Sequence, residues 1–259
     1  MNPFSELPIP ALAMQIYVIV MLVLVVAGTL FDVWHKRSAA YFFAAEKKGR
    51  EARTREIDSG EKASIAAKTI AHDVLASGEF CNQRRRAAHL LTMYGFVLFV
   101  VTTAILVFGY ADTEAAAPAI WPLLWWLGAL MVCIGGYWFW FKIRVDVAAE
   151  GNPWYRIVQA DLFILSLLGT TTFALIWAVL EAAGAGWLAT LFFWLFIIAA
   201  TVLFGSVPWS KFAHMFFKPA AAYQRRISDA DGGRQNLPPP ADKPEQFGLG
   251  IKREAPRHY

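Results

Sequence analysis

Two histidines carry the sharpest chemical possibility in this sequence. His89 follows the run Arg84-Arg85-Arg86, and His214 stands within Lys211-Phe212-Ala213-His214-Met215-Phe216. Each belongs to the basic end of a long apolar block, and the two blocks are expected to run antiparallel. Both imidazoles then fall at nearly the same depth. Two imidazoles on neighbouring helices at one depth can ligate the iron of a b-type haem, and flanking cations such as Arg85, Arg86 and Lys211 suit its propionates. The same residues also serve a plainer purpose, because histidine near a membrane boundary acts as a polar cap or headgroup contact. His35 lies at the same level and could replace either ligand. His72 is expected in solvent, and His258 belongs to the tail.

The elements that must position these residues are membrane spans. The chain has 259 residues, 57% apolar, 15% aromatic and 17% charged, where a soluble domain carries about a quarter charged residues. Its apolar residues come in blocks of about twenty, the length that crosses a ~30 Å hydrocarbon core at ~1.5 Å per residue. Five such blocks are read: 11–34, 89–110, 119–141, 157–180 and 187–207. Beyond Pro208 the last helix is expected to continue, kinked, through Phe217. The first block is too long for a cleavable signal core. Cys81 and Cys133 have no metal-site spacing and are not expected to pair.

All 24 lysines and arginines fall within 35–88, within 142–156 or from Lys211 onward. The alternate connections carry Glu6, Asp112, Glu114 and Glu181 and no basic residue. Positive charge is retained on the cytoplasmic side, so the expected fold is an all-α bundle of five transmembrane helices with its N-terminus outside and C-terminus cytoplasmic. The net charge of +4 then reflects orientation rather than affinity for nucleic acid. Trp121, Trp125, Trp126 and Trp187 mark the outer interface; Trp34, Trp138, Trp140, Trp154 and Trp209 mark the inner one. The loop 35–88 is expected to form one or two amphipathic helices on the membrane or a partner. Residues 1–227 make the membrane domain, and 228–259, with three consecutive prolines, a disordered cytoplasmic tail.

The block Arg84-Arg85-Arg86-Ala87-Ala88-His89-Leu90-Leu91-Thr92-Met93-Tyr94-Gly95-Phe96, with Pro208-Trp209-Ser210-Lys211-Phe212-Ala213-His214-Met215-Phe216, resembles the cytochrome-b-type membrane subunits related to the gamma chain of respiratory nitrate reductase. It is similar also to the membrane subunit of the quinone-interacting oxidoreductase of sulfate reducers, and to the anchor encoded beside adenylylsulfate reductase in sulfur oxidisers. The resemblance covers most of 11–223. It implies a subunit of the bacterial inner membrane that exchanges electrons between a cytoplasmic oxidoreductase, adenylylsulfate reductase by preference, and the quinone pool. His89 and His214 would be the haem ligands. The gamma-chain pattern has two histidines in each ligand-bearing helix for two stacked haems, whereas this chain has one in each. A single haem b near the inner face is therefore expected, with quinone reacting at that level. Asp32, Asp161, Lys211 and Tyr94 are the local groups that could exchange its protons, although a single aspartate early in a span serves as often as a structural cap or a partner for neighbouring arginines.

Two other classes compete. A haem-free structural anchor would use the same helices and basic face. A transporter would need polar residues at the bilayer midplane and inverted repeats, and neither is evident. No phosphate-binding glycine loop, metalloprotease motif or nucleophile elbow occurs.

Overall fold

The computed structural model describes residues 2–35, 38–78, 80, 82–111, 116–146, 151–209, 214–233, 246–247 and 251–252. Most of the described residues are helical. Its elements are α1 (Ala11–His35), α2 (Ser38–Glu51), α3 (Ser59–Lys68), α4 (Gln83–Tyr110), α5 (Ile120–Trp138), α6 (Leu162–Ala182), α7 (Trp187–Gly205) and α8 (His214–Asp231). Two-residue strands β1 (Gln246–Phe247) and β2 (Ile251–Lys252) pair antiparallel. Two π-helical turns, Thr69–Leu75 and Phe139–Ile143, prolong α3 and α5. Five helices are long and apolar enough to cross a membrane: Ala11–Asp32, Gln83–Tyr110, Ile120–Ile143, Leu162–Ala182 and Trp187–Gly205. The shortest, at 19 residues, still reaches about 28 Å.

The chain forms two compact units, residues 1–32 with 87–213, and residues 33–86 with 214–259. In the first, cross-helix contacts fix the threading. On α4 and α5, Ala88 faces Gly135, Gly95 faces Gly128 and Thr103 meets Trp125, so these helices are antiparallel. On α5 and α6, Cys133 and Tyr137 meet Thr171 and Thr172. Tyr17 bonds to Ile197 and Thr201, while Gly28 packs on Val207, so α1 and α7 run the same way. Five alternating crossings result. The C-terminal ends of α1, α5 and α7 and the N-terminal ends of α4 and α6 share one end of the bundle, from which every Lys- and Arg-bearing segment departs.

Small residues allow the closest approach. A Cβ on Gly95 would lie 2.8 Å from the Gly128 carbonyl oxygen, and one on Gly128 2.7 Å from the Phe99 nitrogen. Those are backbone atoms and cannot swing aside, so α4 and α5 touch main chain to main chain. At the opposite end an aromatic core forms. Phe4, from the leader before α1, is fully buried edge-on against Trp125 and Trp177, with ring centroids at 5.8 and 5.4 Å. Trp125, expected at the outer interface, belongs instead to this core, where Thr103 accepts its indole N–H at 2.9 Å. Trp140, expected at the inner interface, is likewise buried, beneath a guanidinium described below. Trp34, Trp154, Trp187 and Trp209 are exposed, as interfacial residues would be.

The second unit contains the two helices expected in the loop 35–88. Asp58 caps α3 by accepting the Glu61 N–H at 2.8 Å. The C-terminal carbonyls of α8 are closed by the 54–55 segment: the Thr54 and Arg55 amides donate to Asp231, and Arg55 Nε donates to Ala230 at 2.7 Å. The helix α8 thus continues through Asp231, beyond the point where the tail was expected to begin. Most of 234–259 lies outside the described residues.

Two other boundaries shift. The fourth span begins at Leu162 rather than Ile157, after an irregular stretch and a 3-10 turn at Gln159–Asp161. The fifth ends at Gly205, where a turn closed by Trp209 N–H to the Ser206 carbonyl precedes a separate α8. Pro208 offers no N–H and cannot continue the ladder, so a break replaces the expected kink.

Candidate functional site

His89 sits in the second turn of α4, half-buried. Asn82 starts that helix, its side-chain oxygen accepting the Arg84 N–H at 2.9 Å. Three arginines then crowd the first turn with no acidic residue to offset the positive end of the helix dipole. Two are engaged in structure: Arg86 Nε donates to the Ala76 carbonyl at 2.7 Å, and the Arg85 guanidinium lies 5.7 Å from the Phe80 ring centroid. Lys218 approaches the same ring at 5.5 Å. His214 opens α8, but its side chain, like the whole of Lys211, lies outside the described residues.

Of the two expected haem ligands, the structure describes the side chain of His89 alone, half-buried with Arg85 and Arg86 within one turn of it on α4. His35 is exposed at the end of α1. No group of three or more His, Cys, Asp or Glu that could hold a metal ion occurs among the described residues.

The two carboxylates differ. Asp32 is 4% exposed near the end of α1. Asp161, also buried, is held by Arg144, a residue not singled out from sequence. Arg144 is 0% exposed and every N–H of its guanidinium has an acceptor. Nε and Nη2 grip the two oxygens of Asp161; Nη1 reaches the carbonyls of Asn152 and Pro153 at 3.2 and 2.8 Å; Nη2 also reaches that of Arg156 at 2.6 Å. The plane lies over Trp140, 4.3 Å from the ring centroid. Asp161 further accepts the Val158 N–H at 2.9 Å. This carboxylate therefore staples the end of α5, the 151–158 loop and the start of α6, the arginine-partner role that was one of the two readings of it. The signal in sequence was an arginine just past one span and an aspartate just before the next.

A second cluster not anticipated lies in the other unit. On the π-helical turn, Asp73 receives Arg226 of α8 through two bonds, 2.7 and 2.8 Å, and His72 Nδ1 at 2.9 Å. Arg226 holds the Asp73 carboxyl below the ordinary carboxylate range, with the His72 bond adding to that effect.

Within the spans, the one hydroxyl–thiol group bridging α5 and α6 among the described residues consists of Tyr137, Thr172, Cys133 and Thr171. The Tyr137 and Thr172 oxygens are 2.9 Å apart, and Cys133 donates to Thr171 at 3.4 Å. Tyr94, the fourth proton-exchange candidate, is exposed on α4.

The fold and these sites define a multi-pass α-helical membrane protein. No family model, curated protein or solved structure matches the chain.

Proposed function

We propose that this protein is the membrane subunit of an electron-transfer complex. It docks a soluble oxidoreductase at its basic end and exchanges that enzyme's electrons with membrane quinone. That end faces the bacterial cytoplasm, since positive segments stay on that side. Adenylylsulfate reductase is the preferred partner, because the chain resembles the anchors that accompany that enzyme. One haem b, with His89 and His214 as axial ligands, would supply one-electron carriage between the two.

The observation that supports this reading is the half-buried His89 on α4, one turn beyond the three arginines that open that helix. The chain's own contribution is to hold the imidazoles, surround them with cations and keep water out of the bundle. An absorption spectrum of the detergent-solubilised, dithionite-reduced protein tests it. A Soret band and a sharp alpha band, both lost in His89→Ala, are expected; a featureless spectrum from protein purified with its partner would remove the haem.

A haem-free anchor is the second reading, favoured by the structural engagement of Arg86, Arg144 and Asp161. In that case H89A and H214A would both retain quinone-linked activity of the docked enzyme.

A further inference from the structure

The lipid-facing seam between α5 and α6 has a polar end and an apolar end. From its basic side it carries Phe141 and Tyr137, then Cys133, Leu130 and Trp126 on α5. These recur every three or four residues and so form one stripe. Across the seam run Thr172, Ile176 and Leu180 in the opposite direction. At the far end lies a groove of about 330 Å³, lined by Trp126, Leu130, Leu175, Ile176, Val179 and Leu180, with no polar atom on its surface. At the near end Tyr137 and Phe141 stack, 15° from parallel at 6.1 Å, and are 38% and 50% exposed. The π-helical turn Phe139–Ile143, a deviation often found at functional sites, coincides with this end.

Hydroxyls on a lipid-facing surface are costly unless bonded. Tyr137 and Thr172 share one hydrogen bond between two O–H groups: if Thr172 donates, the exposed Tyr137 O–H is left beyond that bond, and if Tyr137 donates, the Thr172 O–H has only Cys133 Sγ, a weak acceptor, 3.7 Å away. Interhelical adhesion accounts for the shared bond. It does not account for an exposed stacked pair beside it, nor for an apolar groove continuing along the same seam.

We propose that this seam binds a quinone-class amphiphile. Its flat ring lies by Tyr137 and Phe141, a ring carbonyl accepts a hydrogen bond from the Tyr137–Thr172 pair, and its isoprenoid tail follows the groove past Leu130 towards Trp126. The span from Tyr137 to Trp126 provides about 16 Å of seam. The proposal rests on the electron-exchange reading and names where its lipid-soluble substrate is held. It differs from the carboxylate sites expected from sequence, of which Asp161 is already engaged.

The test uses the full-length protein in nanodiscs, an azidoquinone photoprobe bearing a short isoprenoid tail, and unlabelled decylubiquinone as competitor. Saturable labelling of α5 and α6 is expected, displaced by decylubiquinone and weakened about tenfold in a Tyr137→Phe, Thr172→Val double variant, which preserves shape but removes the donors. Filling the groove with Leu130→Trp should weaken a tailed probe and spare a tail-less one. Saturable labelling confined to other helices and indifferent to these substitutions overturns the seam while leaving quinone exchange standing. Labelling of the seam displaced by excess phospholipid, but not by decylubiquinone, makes it an ordinary lipid groove and also overturns the proposal. Absence of saturable labelling anywhere overturns the seam and the quinone reading together.

Discussion

Arg144 is where a single side chain matters most. It is fully buried, and the cost of stripping water from a guanidinium is offset because all five donors are used and Trp140 faces its plane. Removing either partner leaves a buried charge uncompensated, which costs about 3–5 kcal/mol. Asp161→Asn and Arg144→Ala should each lower the thermal midpoint in detergent, followed by circular dichroism. Arg144→Lys should not rescue it, since an ammonium cannot reproduce the planar fork. Asp73 and Arg226 are a softer pair, partly exposed to water. Because folding depresses the Asp73 pKa, the stabilisation is complete above the ordinary carboxylate range and fades as pH falls through the lowered folded value. Hydrogen-exchange protection at α8 should therefore hold in mild acid and fall only below the ordinary carboxylate range, and Arg226→Met should remove that acid dependence while lowering protection at neutral pH. The first pair left a trace in the sequence, as an aspartate near arginines at a span boundary, and the second left none. Arg144 and Asp161 are 17 residues apart and Asp73 and Arg226 are 153, and only the folded chain brings them together.

Helices were far easier to read, since twenty apolar residues can do little else in a bilayer. Their ends were harder. Proline at 208 and the Arg144 clamp decide where α7 stops and α6 starts, and hydropathy registers neither. Glycine roles were partly visible: Gly135 and Gly136 do admit close neighbours, Ala88 with Thr92 and Leu168 respectively. Gly205, expected to do the same, meets no side chain or backbone within 4 Å among the described residues. Gly95 and Gly128 form the tightest α4–α5 crossing and were not singled out. Gly95→Ala should consequently cost about 1–3 kcal/mol through overpacking. Gly205→Ala should be neutral or stabilise by about 0.5–1 kcal/mol, because alanine restricts the unfolded chain. Unfolding of the two variants in a common detergent series compares them directly.

For the molecule as a whole, charge placement made the threading legible, and the cross-helix contacts give the same alternation. Cysteine accessibility in intact cells checks the orientation: Ser64→Cys in α3 should resist a membrane-impermeant maleimide until the membrane is opened, whereas Ala185→Cys between α6 and α7 should react at once. The reverse pattern would invert the topology and remove the electron-carrier reading. His89 and His214 were visible only as residue types near the basic ends of two apolar blocks, and ligand pairing depends on side-chain directions that spacing does not specify. The hydroxyl seam was hidden for a related reason. Tyr137 and Thr172 look unremarkable in separate apolar blocks, and they become a site only through the register of α5 against α6.

The saturated guanidinium also bears on how this sequence can drift over generations. Position 144 cannot lose its charge while position 161 keeps its own, nor the reverse, without stranding an ion among hydrocarbon side chains. Single-step descendants at either site should be purged. Lineages that escape would have to replace both, most simply with a volume-matched apolar pair, and would then need another way to fasten the loop that three backbone carbonyls now tie to the arginine.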